Sequence, residues 1–80
     1  MTEIEVYEVL NSIFRTVFDD ESITVDENTT SDDIEDWDSL EHINLIVAVE
    51  KSFEIKFSIN EIHSMESVGD MARMILAKKN

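Results

Sequence analysis

Asp38-Ser39-Leu40 stands directly before the apolar run Ile43 to Val49 and is the part of this chain best suited to chemistry. The spacing puts one hydroxyl on the first turn of a helix, with carboxylates crowded on its N-terminal side. Nothing close in sequence would activate that hydroxyl as a nucleophile. No glycine loop surrounds it, and the chain has no cysteine. A serine so placed is suited to being modified rather than to attacking a substrate. His42 and His63 fall on no metal-ligand pattern and have no nucleophile to serve, so both are read as surface residues without an acid–base role. The acidic stretch from Asp26 fails as a calcium loop. Its sixth position is Ser31 rather than glycine, and its twelfth is Trp37 rather than glutamate. No catalytic and no metal-binding residue is expected.

Eighty residues make one domain, 1–80, with a modest core. The absence of cysteine excludes disulfides and thiolate metal sites. No long apolar span and no basic leader is present, which predicts a soluble, cytoplasmic protein without membrane insertion. Lack of proline and a single glycine, Gly69, argue against a many-turned β fold. Nineteen acids against six bases give a net charge of -13. Nucleic acid would be repelled, and basic protein partners fit better. Residues 1–36 carry twelve of the acids with Arg15 as the only base, whereas Lys51, Lys56, Arg73, Lys78 and Lys79 all follow. The same surface can serve as a solubility device or can steer basic enzymes.

The elements that must hold Ser39 are helical. Four helix starts read as capping boxes, in which a cap side chain and an acid three residues on satisfy free amides. They are Thr2 with Glu5, Asp38 with Glu41, Ser58 with Glu61 and Ser67 with Asp70. The first helix is predicted from Glu3 to Phe18, with Tyr7, Leu10, Ile13, Phe14 and Val17 as its apolar stripe. The second runs from Ser39 to about Ser52, with Leu45, Ile46 and Val49 inward, followed by Phe53. A short third helix covers Ser58 to His63. The fourth covers Ser67 to Lys78, with Val68, Met71, Ala72, Ile75 and Leu76 inward. The predicted fold is all-α: a small four-helix bundle with a long loop between the first two helices and a short third helix. Ile23, Val25, Ile34 and Trp37 would pin that loop, Asp19 to Trp37, onto the bundle.

Over nearly its whole length the sequence resembles the acyl carrier proteins. The similarity is carried by Asp38-Ser39-Leu40, the helix Leu45-Ile46-Val47-Ala48-Val49-Glu50, the turn Phe53-Glu54-Ile55-Lys56-Phe57, and the Ser67-Val68 start of the last helix. The resemblance implies that Ser39 carries a covalent 4'-phosphopantetheine arm. A phosphopantetheinyl transferase would attach it, recognising Asp38 as part of the motif. It further implies that Leu40, Ile43 and Val47 form an apolar strip toward partner enzymes, ringed by Glu41 and Glu50. Those partners would be an acyl-loading ligase or acyltransferase and the condensing or acyl-transferring enzymes of a fatty-acid, polyketide or specialised pathway. The carrier itself would be a non-catalytic monomer. Asp36 departs from the glycine that many members carry there, so the turn into the second helix differs or Asp36 acts as a local cap; His42, Asn44 and Lys51 dilute the acidity of the second helix, which leaves a carrier dedicated to one pathway open beside a housekeeping one. Two alternatives stay open: an aminoacyl or peptidyl carrier loaded by an adenylating ligase, and an unmodified acidic module that binds a basic protein.

Overall fold

A computed structural model describes residues 1–79. Its elements are α1 (Glu3–Val17), a 3-10 turn (Ser31–Asp33), α2 (Ser39–Phe53), α3 (Ile59–Ser64) and α4 (Val68–Lys79). The four-helix bundle, the long loop and the short third helix are therefore as the sequence predicts, and each boundary lies within one residue of its predicted place. Among the described residues there is no strand, and no helix is long and apolar enough to cross a membrane.

The caps explain the boundaries. Thr2 accepts the Glu5 N–H at 3.2 Å while Glu5 accepts the Thr2 N–H at 2.9 Å. Ser58 and Glu61 repeat the exchange at 3.1 and 2.8 Å. Each exchange satisfies two amides that would lack helical partners, and each pulls its glutamate below the usual carboxylate range through the backbone donor. Two predicted boxes need correction. Asp70 takes the Glu66 N–H at 3.0 Å instead of that of Ser67, so only the Ser67 half of that box forms. Glu41 accepts from Asn44 at 3.2 Å, while the Asp38 N–H turns to the Asp36 carbonyl. A further box, outside the four predicted, closes the 3-10 turn between Thr30 and Asp33.

Val6, Leu10, Ile13 and Phe14 fill the α1 side of the core. Leu45, Ile46, Val49 and Phe53 come from α2, and Val68, Met71, Ala72 and Ile75 from α4. α1 packs mainly on α2 and α4. The stripe read along α1 is rotated slightly: Val6 is fully buried, while Tyr7 and Val17 are half-buried, as is Leu76 on α4. Burying each large side chain contributes about 1.5–3 kcal/mol, which outweighs the weaker local propensities.

The long loop is tied down by side chains of α1. Arg15 donates through Nε to the Ile23 carbonyl at 2.6 Å and through Nη2 to Thr24 at 3.3 Å. Asn11 accepts the Val25 N–H at 2.6 Å. Val25 is buried, and Ile23, Ile34 and Trp37 pack against the core as predicted. The start of α4 closes on the same loop. Val68 N–H donates to the Thr29 carbonyl at 2.8 Å and Gly69 N–H to the Glu27 carbonyl at 3.2 Å. Backbone comes so close to backbone here that a Cβ on Gly69 would lie 2.7 Å from the Glu27 oxygen. This contact is why the chain's single glycine sits inside a helix.

Candidate functional site

The approach to α2 is a succession of short hydrogen-bonded turns. Trp37 N–H reaches the Ile34 carbonyl at 3.1 Å, and Asp38 N–H the Asp36 carbonyl at 3.0 Å. Asp38 is then extended, with φ -110° and ψ -172°, and caps the helix. Its Oδ1 accepts the Glu41 N–H at 2.8 Å and its carbonyl the His42 N–H, also at 2.8 Å. A cap of this kind contributes roughly 1 kcal/mol.

Ser39 is the first residue of α2 and is exposed. Its amide and that of Leu40 precede the first bond of the helical ladder, where the positive end of the helix dipole lies. Among the described residues no histidine or carboxylate hydrogen-bonds the Ser39 hydroxyl. The site therefore presents an accessible hydroxyl at the positive end of a helix, where an added anion is favoured.

Leu40, Ile43 and Val47 are 69, 50 and 43% exposed, although each belongs to an otherwise well-packed helix. Their spacing places them along one side of α2. Glu41 stands half-buried beside the start of this strip. Glu50 lies at the other end of the helix, and one of its oxygens is committed within the fold. Oε2 accepts the Phe57 N–H at 2.9 Å, and the Glu50 carbonyl accepts the Ile55 N–H at 3.1 Å. The residue thus fastens the turn after α2. Lys78 completes the support of α3, pairing with Glu61 at 3.0 Å and lying over the Phe57 ring.

A cleft of about 330 Å³ opens beside Ser39 between the starts of α2 and α4 and the α3 segment. Trp37, Ile62, Met65 and Met71 form much of its wall, with Asp38, His42, His63 and Glu66 as its charged or titratable groups. Sequence could not reveal such a space, which depends on how α3 is seated.

His42 requires a correction. Expected on the surface, it is half-buried. Its ring stacks on Trp37 with centroids 5.9 Å apart. Trp37 Nε1–H donates to His42 Nδ1 at 3.1 Å, and His42 Nε2 lies 3.4 Å from the Ile62 carbonyl oxygen. Trp37 in turn packs edge-on to Phe14 at 5.2 Å. A signal for the pairing was present in the chain. Trp37 precedes the cap residue and His42 is the fourth residue of the helix, the two positions of a hydrophobic staple. His63 is exposed, as expected.

No family model matches the chain. Two solved structures resemble it. The holo acyl carrier protein from Geobacter metallireducens superposes with a TM-score of 0.86 at 44% identity, covering 91% of this chain and 84% of that one. A Mycobacterium tuberculosis protein, itself proposed to be an acyl carrier protein, superposes with a TM-score of 0.80, covering 90% of this chain and 96% of that one. At 22% identity the second likeness speaks for the fold alone.

Proposed function

The chain belongs to the acyl carrier protein family, and from that premise we propose that Ser39 is the attachment point of a 4'-phosphopantetheine arm. The observation that carries this reading is an exposed serine at the first position of α2, capped by Asp38. The local chemistry fits the group. A phosphodiester on Ser39 Oγ would lie at the positive end of α2, near the Ser39 and Leu40 amides, which favours an anion there. The adjacent cleft leaves room for an arm to lie against the protein. When bound, the arm supplies the terminal thiol on which an acyl group is carried as a thioester, which a cysteine-free chain cannot supply itself.

The chain's own residues position and present. Asp38 fixes the backbone direction at Ser39 and, with Leu40, offers the motif to a phosphopantetheinyl transferase. Leu40, Ile43 and Val47 supply apolar contact to partner enzymes, and Glu41 supplies the neighbouring charge. Glu50 adds a more distant charge through its remaining oxygen. The net charge of -13 attracts partners with basic surfaces. In this reading the protein is a monomeric, non-catalytic, cytoplasmic carrier of a dedicated pathway. It is loaded by a ligase or acyltransferase and read by condensing or acyl-transferring enzymes.

Intact mass after incubation with coenzyme A and a broad-specificity phosphopantetheinyl transferase tests the assignment. One arm should be added to the natural chain and none to Ser39→Ala, which should fold normally. Modification persisting in Ser39→Ala would overturn the placement. No modification of the natural chain would leave the unmodified acidic module as the better reading.

A further inference from the structure

We infer that His42 is a positioning residue for Ser39: as a neutral imidazole it ties Trp37, two residues ahead of Ser39, to α3, and the tie opens when the ring takes up a proton. The role in modification rests on the Ser39 assignment above. The tie itself rests on hydrogen-bond chemistry that can be tested separately.

The partners at both ends of the ring demand the same protonation state. An indole N–H only donates, so His42 Nδ1, 3.1 Å from Trp37 Nε1, must be the bare nitrogen. A carbonyl oxygen only accepts, so Nε2, 3.4 Å from the Ile62 oxygen, must carry the hydrogen. One neutral tautomer satisfies both. A second proton on the ring falls on Nδ1 and sets N–H against N–H. The Trp37 bond is then lost and its N–H turned toward a cation.

The location gives this change its consequence. Trp37, His42 and Ile62 line one cleft with Asp38 and Ser39. Trp37 is anchored on Phe14 of the core, so the tie runs from the core through His42 to α3. Its loss releases the Trp37 end of the short segment that aims Asp38 and Ser39, while His42 Nε2–H keeps its carbonyl partner on α3. The titratable groups facing the cleft with His42 are Asp38 from the head of α2, His63 from α3 and Glu66 from the connection to α4. Of these, His63 is the only other imidazole, and it must be controlled for.

The experiment compares the natural chain with His42→Gln, His42→Leu and His63→Gln. Glutamine offers an acceptor for Trp37 and a donor for Ile62, whereas leucine fills the space with neither. Near pH 8, His42→Leu should accept the arm from coenzyme A roughly five- to tenfold more slowly, about the worth of one neutral hydrogen bond, and His42→Gln should recover most of the rate. Toward about pH 5.5 the natural chain should slow relative to His42→Gln, a ratio in which the transferase's own pH dependence cancels. His63→Gln should behave as the natural chain does. Trp37 is the only tryptophan, so fluorescence of the unmodified protein reports on the contact without any transferase. Its emission should follow a histidine titration that His42→Gln abolishes and His63→Gln keeps. An emission titration lost in His63→Gln but kept in His42→Gln would overturn the inference. So would equal rates for leucine and glutamine, or an unchanged rate ratio across pH. Failure of the natural chain to gain an arm would refute the Ser39 assignment, leaving the fluorescence to judge the tie.

Discussion

Gly69→Ala should destabilise this protein, against the usual effect of that substitution inside a helix. Alanine is the better helix former by about 1 kcal/mol. At Gly69, however, the new methyl group would lie 2.7 Å from the Glu27 carbonyl oxygen and 3.2 Å from its Cα and Cβ. Two of these are backbone atoms, so relief requires the loop or α4 to withdraw. That motion stretches the Gly69 bond to Glu27 at 3.2 Å and strains the Val68 bond to Thr29 at 2.8 Å. Overpacking of this kind costs about 1–3 kcal/mol and each weakened backbone bond about 1 kcal/mol. Less the gain in helix propensity, the net loss is about 2 kcal/mol. For a domain of this size that lowers Tm by roughly 8–16 °C. Thermal unfolding followed by circular dichroism at 222 nm measures it. A Tm equal to or above that of the natural chain would refute the reasoning, because propensity would then outweigh the contact.

Three further outcomes are expected. Glu54→Gly should stabilise by about 0.5–1 kcal/mol in chemical denaturation, because Glu54 ends α2 in the left-handed region at φ 56°, where a side chain is strained and glycine is not. Added salt should raise Tm at neutral pH, since eleven net negative charges fall within residues 1–36 and ionic strength screens their repulsion over roughly 10 Å at 0.1 M; a flat or falling Tm in a salt series would show the repulsion already relieved by spacing. Stability should decline as pH falls below about 4, the ordinary carboxylate range. Glu5, Asp20, Glu61 and Asp70 are held below their usual values chiefly by hydrogen bonds from Thr2, Ser22, Ser58 and Glu66. A lowered folded-state value contributes stability above the unfolded value and loses it as the folded form protonates. An acid titration of unfolding free energy with no loss between about pH 4 and pH 2 would contradict this.

The helices were legible because each start carries its own short-range signal. Thr2, Asp38 and Ser58 cap where the spacing of their acids implied, and the period of apolar residues along α1 and α4 identified the buried faces to within one position. The exposed Leu40, Ile43 and Val47 could not be separated from core by pattern alone, because α2 is apolar around most of its circumference. Their exposure depends on which neighbours arrive, and α1 covers the other side. His42 was misplaced for a related reason. Its burial depends on an indole five residues earlier and a carbonyl on another helix, and only the staple spacing hinted at the first. Gly69 gave no local sign of its role, since the Glu27 backbone that excludes a side chain there is distant in sequence. The cleft likewise exists only once α3 is seated by Glu50, Lys78 and the Ile62 carbonyl.

The fastening of the long loop by Asn11 and Arg15 has a kinetic consequence. These bonds join residues only eight to fourteen positions apart, so closing them requires little chain ordering beyond α1 itself. The amino-terminal segment can consequently gather its own connection before the rest of the bundle arrives, whereas the junction of Val68 and Gly69 with Thr29 and Glu27 requires a closure across about half the chain. Contacts of short separation favour rapid folding. Docking of α4 is the long-range closure of the bundle, and it brings Met71 to the Ser39 cleft.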